Sequence, residues 1–246
     1  MDEKKFNKWF NVFIVAGMAV CVIASCVFKY PDTEPGRRWL LILSTFGALF
    51  GVASVVLSAN GSIWTFVFGL VDVLIYSYIL WDSKLPAQLA LYVGYFIPME
   101  FVGFYKWRKR GADGHQQVKA QRLHGRKWLV YLGLFVIVWP LALALSYYVG
   151  GHAGVDGITA KTLLDATVTT ANIVALAMMA SAYMEQWYLW TLVNITAVVQ
   201  WAFALATAPE ASYAIVPLVK YSFYFINGLN AIRIWRALSA TNQEGV

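Results

Sequence analysis

The sequence has little charge and almost no cysteine, and each shortage excludes a class of protein. Only 13% of its 246 residues are Asp, Glu, Lys or Arg, about half the share found in soluble domains. The two cysteines, Cys21 and Cys26, lie in one apolar run, where helical geometry points them to different sides, so we expect neither a disulfide framework nor a redox CxxC site. The chain instead has 60% hydrophobic residues and a mean hydropathy of +0.59. Its long apolar runs predict a protein embedded in a lipid bilayer.

Histidine is also scarce, and its positions argue against metal, haem and enzyme chemistry. His115, His124 and His152 all fall in predicted loops, so no pair of histidines inside the membrane could hold haem or a metal ion. No HExxH motif and no acidic cluster at metal-ligand spacing occurs in the sequence. We therefore expect no metal, no cofactor and no enzymatic activity. The net charge of +6 comes from connecting segments, which indicates membrane topology rather than nucleic-acid binding.

Apolar stretches of roughly 20 residues, separated by charged or Gly/Pro-rich breaks, predict eight transmembrane helices. Tryptophans at the ends of several stretches are typical of an interfacial aromatic belt. The predicted spans are 9–28, 39–57, 62–81, 86–106, 128–149, 163–184, 187–206 and 211–235.

The distribution of lysine and arginine predicts the orientation of the chain. With eight spans, both termini and the second, fourth and sixth loops share one side, which carries 13 of these residues. The other side carries five, and Lys220 lies within a span. Because positive residues accumulate on the cytoplasmic side of a membrane, both termini are predicted to be cytoplasmic.

A weak internal repeat relates two parts of the chain. Residues 68–72 (FGLVD) in the third span resemble residues 190–194 (WTLVN) in the seventh, and the span that follows each carries a proline before it ends in Trp-Arg, at Trp107 and Trp235. If spans two to four and six to eight are copies, span five links them and span one is additional. A single linking helix restores the chain direction, so the triplets are parallel repeats, and a site is expected between them near the midplane.

The predicted fold class is therefore an all-α polytopic membrane protein, with two parallel triple-helix bundles, a linking helix and one additional N-terminal helix. The predicted parts are an N-terminal helix and loop (1–38), a first triple-helix bundle (39–107), a basic cytoplasmic loop with the linking helix (108–162), and a second triple-helix bundle with the C-terminal tail (163–246).

Aromatic and polar residues share one face of the seventh span. Trp187, Trp190, Asn194 and Trp201 are spaced at i, i+3, i+7 and i+14, which places them on one side of a helix. This face predicts the lining of a site. An interfacial tryptophan pair with a helix-packing asparagine is the alternative interpretation.

Two acids fall at membrane depth, Glu100 in the fourth span and Asp72 in the third. A carboxylate there costs at least about 2.5 kcal/mol unless it is paired, solvated or protonated. Both acids are therefore expected to face the interior of the bundle, as is Lys220 in the eighth span. An ion pair between Lys220 and one acid is the structural alternative to a binding role.

The candidates for substrate binding are taken from these stripes and from their neighbours at helical spacing. Aromatic residues precede Glu100 on its stripe, a tryptophan shares a face with Asp72, and a tyrosine and an asparagine follow Lys220 on its stripe. The full set is Trp64, Asp72, Tyr92, Phe96, Glu100, Trp187, Trp190, Asn194, Tyr224 and Asn227.

Several of these motifs resemble the PnuC family of nicotinamide riboside transporters. The resemblance rests on residues 95–107 (YFIPMEFVGFYKW), 190–194 (WTLVN) and 227–235 (NGLNAIRIW), and it extends over spans two to eight. It implies the 3+1+3 organisation of full-length SWEET-type carriers. The chain departs from the family at Glu100, where a glutamine is expected, and in its additional N-terminal helix.

The resemblance implies facilitated uptake of nicotinamide riboside by alternating access across the bacterial inner membrane. It also implies a uniporter that is functionally linked to a cytoplasmic riboside kinase, and a homotrimeric assembly. Indole faces can stack on the flat pyridinium cation, and an asparagine amide can pair with its carboxamide. The alternatives are a proton-coupled carrier that uses the buried acids, transport of thiamine or another flat vitamin or nucleoside, and a membrane receptor without transport activity.

Overall fold

The chain folds into eight helices in this computed structural model, which describes residues 3–82, 86–113, 115–149, 158, 160–207 and 215–241. Each of the eight predicted spans corresponds to one of these helices, with ends that differ by up to six residues. The first residues of the predicted eighth span, 211–214, lie outside the described residues. The helices are α1 (Glu3–Lys29), α2 (Arg38–Ala59), α3 (Trp64–Asp82), α4 (in three consecutive segments, Pro86–Leu91, Tyr92–Phe96 and Ile97–Lys109), α5 (Arg126–Val149), α6 (Ala160–Ala180), α7 (Gln186–Thr207) and α8 (Ile215–Thr241).

Five of these helices, α1, α2, α3, α5 and α6, are long and apolar enough by length and composition to cross a membrane. Of the other three, α4 is divided into shorter segments, and α7 and α8 carry polar residues such as Asn194 and Lys220 along their length. Polar residues within a membrane helix are expensive and face a protein interior or a cavity. The polar residues of α7 and α8 are therefore expected to face the interior of the bundle or a cavity.

A π-helical turn, Tyr92–Phe96, interrupts α4 immediately before Pro98. Proline has no amide hydrogen, and in a regular helix its ring would clash with the carbonyl four residues earlier. The wider turn avoids this clash, and the amide of Ile97 donates to the carbonyl of Tyr92, five residues back. The turn changes the direction of the side chains that precede Glu100, as π turns often do at functional sites.

The two predicted bundles pack as equivalent halves. The first half is α2, α3 and α4, the second is α6, α7 and α8, and in each half the middle helix packs against both of its neighbours. The last helix of each half packs against the first helix of the other, α4 against α6 and α8 against α2. Because these two contacts are equivalent, a pseudo-two-fold axis relates the halves. This arrangement confirms the predicted 3+1+3 fold.

The N-terminal helix α1 stands to the first half as α5 stands to the second. It packs against α2 through an apolar cluster that includes Ile14, Met18 and Val52, and α5 packs in the same way against α6. Helix α1 also contacts α8, where a β-carbon at Gly17 would lie 2.3 Å from the ring of Phe223. Only glycine permits this close approach of α1 to the second half.

An aromatic floor closes the space between the halves at one end. We define it by Phe66, Trp107, Trp187 and Trp235, whose side chains are all buried. The ring centroids of Phe66 and Trp107 lie 4.9 Å apart, those of Trp107 and Trp235 lie 5.5 Å apart, and those of Trp187 and Trp235 lie 6.2 Å apart. Large aromatic rings in mutual contact contribute strongly to packing, so this end of the bundle is closed in the structure.

Residues 115–124, which we call the crossing loop, run beneath the aromatic floor and contact both halves. The side-chain amide of Gln117 donates to the carbonyl of Asn60 in the α2–α3 turn (2.9 Å), and that of Gln121 donates to the carbonyl of Ser181 in the α6–α7 turn (2.7 Å). At the start of the loop, the backbone amides of Gln116 and His115 donate to the carboxylate of Asp113 and hold the pKa of this carboxyl below the ordinary value. The loop thus ties equivalent turns of the two halves together.

Candidate functional site

A cavity of about 530 Å³ lies between the two halves and includes Trp187 of the aromatic floor in its wall. Residues from α2, α3, α4, α6, α7 and α8 line it, and no described residue of α1 or α5 does. Its volume is within the range of small-molecule sites. A parallel repeat predicts a site at this location, between the halves.

Most of the candidate residues come together in this cavity. Trp201 of α7 and Asn172 of α6 also line the cavity. Trp201 lies on the predicted face of α7. The candidates that line the cavity are Asp72, Tyr92, Phe96, Glu100, Trp187, Trp190, Asn194 and Tyr224.

Glu100 presents its carboxylate to the cavity from α4 and packs against α3. Its side chain is 8% exposed. A β-carbon at Gly69 would lie 3.0 Å from both carboxylate oxygens, so glycine at this position makes room for the acid. Oε2 of Glu100 has no hydrogen-bond partner among the described residues. Buried polar atoms are nearly always paired, so this oxygen is a buried acceptor without a partner beside the cavity.

Asp72 occupies the wall of the cavity on α3. Its carboxylate lies against α2, where a β-carbon at Gly51 would be 2.6 Å from Oδ2. The phenol groups of Tyr92 and Tyr224 interact electrostatically with it, and so does Lys220. Polar groups from two other helices, α4 and α8, therefore act on the acid, which is the arrangement that a carboxylate at membrane depth requires.

The α7 face supplies aromatic surface and unpaired polar atoms. The indole nitrogen of Trp187 has no hydrogen-bond acceptor in the described part of the chain. Trp190 and Asn194 follow it on the cavity side, and Gly228 of α8 lies beside the Asn194 amide, since a β-carbon there would be 4.0 Å from Nδ2. This face can therefore stack on a flat ligand and hydrogen-bond to its edge.

Two of the candidates do not line the cavity in the structure. Trp64 is 49% exposed and lines a separate pocket with Phe104 and Arg108. The cavity face of α3 begins at Thr65, and adjacent helical residues differ by about 100° in direction. Asn227 is fully buried and its amide donates to the carbonyl of Val55 (3.4 Å), so it packs α8 against α2.

Some cavity residues carry no signal that the sequence interpretation could use. Ser54 of α2 and Thr65 of α3 exchange hydrogen bonds, since each hydroxyl donates to the other residue's carbonyl (2.8 and 3.0 Å). Hydroxyl residues in apolar helices commonly bond within their own helix, so this inter-helix pairing is visible only in the structure. Gln200 also lines the cavity, and the signal that could have identified it is a polar side chain within an apolar span.

The described residues contain no group of three or more His, Cys, Asp or Glu side chains that could hold a metal ion. Asp72 and Glu100 are the acids that line the cavity, and no described histidine joins them. The chemistry available in the cavity is therefore stacking, hydrogen bonding and attraction of a positive charge.

Comparison with known proteins identifies the family. The family model for the nicotinamide mononucleotide transporter matches residues 41–237. The nicotinamide riboside transporter PnuC of Neisseria mucosa is 31% identical over 95% of this chain and 84% of its own length. The chain belongs to the PnuC transporter family. It is therefore a multi-pass membrane protein of a transporter family and not an enzyme, as predicted.

Other PnuC proteins support the assignment. The Haemophilus influenzae nicotinamide riboside transporter PnuC is 27% identical over 96% of this chain and 95% of its own length. The crystal structure of the vitamin B3 transporter PnuC has 27% sequence identity and a TM-score of 0.66, and the match covers 96% of this chain and 93% of that one.

The extent of the structural match also corrects one expectation about α1. The family model begins at residue 41, after α1. The match to the PnuC crystal structure covers 96% of the chain, so it extends into α1, which has 27 residues. The N-terminal helix is therefore shared with that PnuC protein and is not a departure of this chain.

Proposed function

We propose that this chain transports nicotinamide riboside through the cavity between its two halves. The observation that carries the proposal is the lining of the cavity, where indole and phenol rings surround two carboxylates and an asparagine amide. Nicotinamide riboside is a flat pyridinium cation with a carboxamide and a ribose. The relatives named above are nicotinamide riboside transporters.

Each part of the riboside has a matching group in the cavity. Trp187 and Trp190 offer ring faces to the pyridinium, where a cation–π contact contributes about 0.5–2 kcal/mol. Asn194 can donate to and accept from the carboxamide. Glu100, with its unpaired Oε2, can attract the positive charge or accept a hydrogen bond from a ribose hydroxyl.

The same lining favours the riboside over its phosphorylated form. The residues that line the cavity include Asp72 and Glu100, and no lysine or arginine is among them in the described part of the chain. Phosphate groups are bound in proteins by arginine, lysine or exposed backbone amides. A phosphate would meet two carboxylates here, so we expect the mononucleotide to be excluded although the family model is named for it.

We further propose a bacterial inner-membrane location with both termini in the cytoplasm. The 13 to five division of lysine and arginine supports this orientation, and it places the crossing loop and the aromatic floor on the cytoplasmic side. The carrier then works by alternating access as a uniporter, and a cytoplasmic riboside kinase removes the transported substrate. A homotrimer is the assembly that the family resemblance implies.

Titration of the purified protein with nicotinamide riboside, nicotinamide mononucleotide and thiamine tests the substrate assignment. We expect the riboside to bind at least about tenfold more tightly than the mononucleotide, and thiamine to bind more weakly than the riboside. Protein-containing liposomes should equilibrate labelled riboside faster than protein-free liposomes. Tighter binding of thiamine or of the mononucleotide would overturn the assignment, and binding without equilibration would favour a receptor.

A further inference from the structure

Lys220 lies beside the cavity without lining it. Its Nζ is 5.4 Å from the ring centroid of Tyr224 and 5.8 Å from that of Tyr221, and both tyrosines line the cavity. The lysine is half-buried and also interacts electrostatically with Asp72. Its ammonium group is therefore one aromatic ring away from the space that a ligand would enter.

The two carboxylates of the cavity differ in their charged neighbours. Lys220 acts on Asp72, whereas the electrostatic partner of Glu100 is Asp72 itself. The described part of the chain contains no ion pair within 4 Å between Lys220 and either acid. The lysine thus influences Asp72 from a distance, without a contact that would hold the carboxylate away from the cavity.

We propose that Lys220 determines charge specificity by acting as the counter-charge of Asp72, so that the cavity accepts one positive charge, at Glu100. Two carboxylates, one ammonium and one bound monocation sum to zero net charge, which is the favourable sum in a site of low dielectric. This inference rests on the proposed function, because it assumes that the ligand is a monocation. Lys220 is a positioning residue in this scheme and does not touch the substrate.

The sign of the effect follows from the charges. Lys220→Met removes a positive charge near the ligand and leaves two uncompensated carboxylates, so a cation should bind more tightly. Asp72→Asn leaves Lys220 without its counter-charge, so a cation should bind more weakly. The double variant Lys220→Met/Asp72→Asn removes one charge of each sign and should return to the wild-type preference.

The experiment compares two ligands that differ mainly in charge. One is nicotinamide riboside, and the other is its reduced dihydropyridine form, which keeps the ribose and the carboxamide but is neutral. The measured quantity is the charge preference, defined as the Kd of the neutral form divided by the Kd of the cation. We expect Lys220→Met to raise this preference about tenfold or more, and Asp72→Asn to lower it by a similar factor.

Three further variants separate charge from structure. Lys220→Arg keeps the charge and should stay within about threefold of the wild-type preference, and Lys220→Gln is a second neutral variant in case the methionine variant does not fold. Lys109→Met is the matched control, because Nζ of Lys109 also lies over a tyrosine ring, at 4.4 Å from the centroid of Tyr105, but outside the cavity. Its charge preference should not change.

The outcomes distinguish this inference from the function on which it rests. An unchanged preference in the neutral Lys220 variants, with both ligands still bound, would show that the ammonium extends to the polar end of α8 as a snorkelling lysine. That result overturns the inference and leaves the proposed function intact. A wild-type protein that binds neither form of the riboside overturns both.

Discussion

Trp107 and Trp235 join the two halves through equivalent hydrogen bonds, each donated by one half to a backbone carbonyl of the other. The indole of Trp107 in α4 donates to the carbonyl of Met179 in α6 (2.7 Å), and the indole of Trp235 in α8 donates to the carbonyl of Ser58 in α2 (3.1 Å). The two ring centroids are 5.5 Å apart, and both side chains are fully buried. The internal repeat makes these tryptophans equivalent, and they meet on the pseudo-two-fold axis.

Loss of either indole donor should destabilise the bundle. Trp107→Phe or Trp235→Phe keeps an aromatic ring but removes the indole hydrogen bond, which contributes about 0.5–1.5 kcal/mol. The carbonyls of Met179 and Ser58 keep their second donors, the backbone amides of Ala182 and Gly61. For a chain of this size we expect the apparent Tm of the protein in detergent to fall by about 1–6 °C for each variant. Because the rings touch, the double variant should deviate from the sum of the two shifts.

Trp9→Phe is the matched control for this prediction. Trp9 lies in α1, its side chain is 63% exposed, and no described residue accepts a hydrogen bond from it. Its variant should leave the Tm unchanged. Equal shifts for Trp9→Phe and the two buried variants would mean that the buried indole hydrogen bonds do not contribute.

Trp190 should matter for ligand affinity more than a tryptophan outside the cavity does. Removal of its stacking face by Trp190→Ala should weaken riboside binding by about threefold to thirtyfold, the range expected for a cation–π contact. Trp139 of α5 donates its indole N–H to Thr167 of α6 (3.0 Å) and does not line the cavity. If Trp139→Ala reduced affinity equally, the titration would be reporting stability and not contact with the ligand.

Gly51 should resist substitution because α2 and Asp72 are so close. The added carbon of Gly51→Ala would lie 2.6 Å from Oδ2 of Asp72, so the acid or the helix must move, and overpacking of this kind costs about 1–3 kcal/mol. We expect a lower Tm together with weaker riboside binding. Gly133→Ala in α5 is the control, because nothing lies within 4 Å of the added carbon, and its Tm should be unchanged or higher.

The sequence predicted the helices and the halves well because both depend on patterns that a membrane enforces. Apolar length and interfacial tryptophan marked each span, and the shared order of motifs marked the repeat. The sequence could not predict side-chain direction to within one residue. Trp64 lies about 100° away from the cavity face of α3, and Asn227 faces α2 instead of the cavity.

The polar connections between helices were also beyond sequence reasoning. The pairing of Ser54 with Thr65 and the bonds from Gln117 and Gln121 to the two helix turns depend on tertiary geometry. Nothing in local composition distinguishes these hydroxyl and amide side chains from others on the surface. Glycines such as Gly51 and Gly69 also carry no signal in the local sequence. Their role is to leave room for the carboxylates of Asp72 and Glu100, which pack against them only in the folded structure.

Cysteine labelling tests the orientation of the chain. Single cysteines at position 115, in the crossing loop, and at position 32, between α1 and α2, replace exposed residues and should react with an impermeant reagent from opposite sides of the membrane. The native Cys21 and Cys26 are first replaced by alanine. Position 153 belongs to the predicted outer loop but lies outside the described residues, and it should react from the same side as position 32.

The outcome of this labelling bears on the whole architecture. Reaction of positions 115 and 32 from one side would contradict an odd number of crossings between them and therefore the eight-span topology. A membrane-permeant reagent that labels every variant serves as the control for accessibility. If the two positions react from opposite sides but position 115 reacts from the outside, the eight-span fold is supported and only the cytoplasmic assignment of the termini is contradicted.

Glu100 is the residue on which a proton-coupled mechanism would depend. If the carrier coupled riboside movement to a proton on this carboxylate, Glu100→Gln would abolish uphill uptake driven by a pH step and preserve exchange of labelled for unlabelled riboside. In a uniporter there is no uphill uptake to lose. The variant should then exchange riboside nearly as well as the wild type, since glutamine is the residue expected here from the family resemblance.

We expect the uniporter result, because a substrate cation can itself compensate the Glu100 carboxylate and no described histidine lines the cavity. The measurement uses liposomes with equal riboside on both sides, an imposed pH step and a clamped membrane potential. Glu34→Gln, an exposed site between α1 and α2, is the control for a change of charge away from the cavity. Net accumulation in the wild type and in Glu34→Gln that vanishes in Glu100→Gln would contradict the uniporter and assign the proton to Glu100.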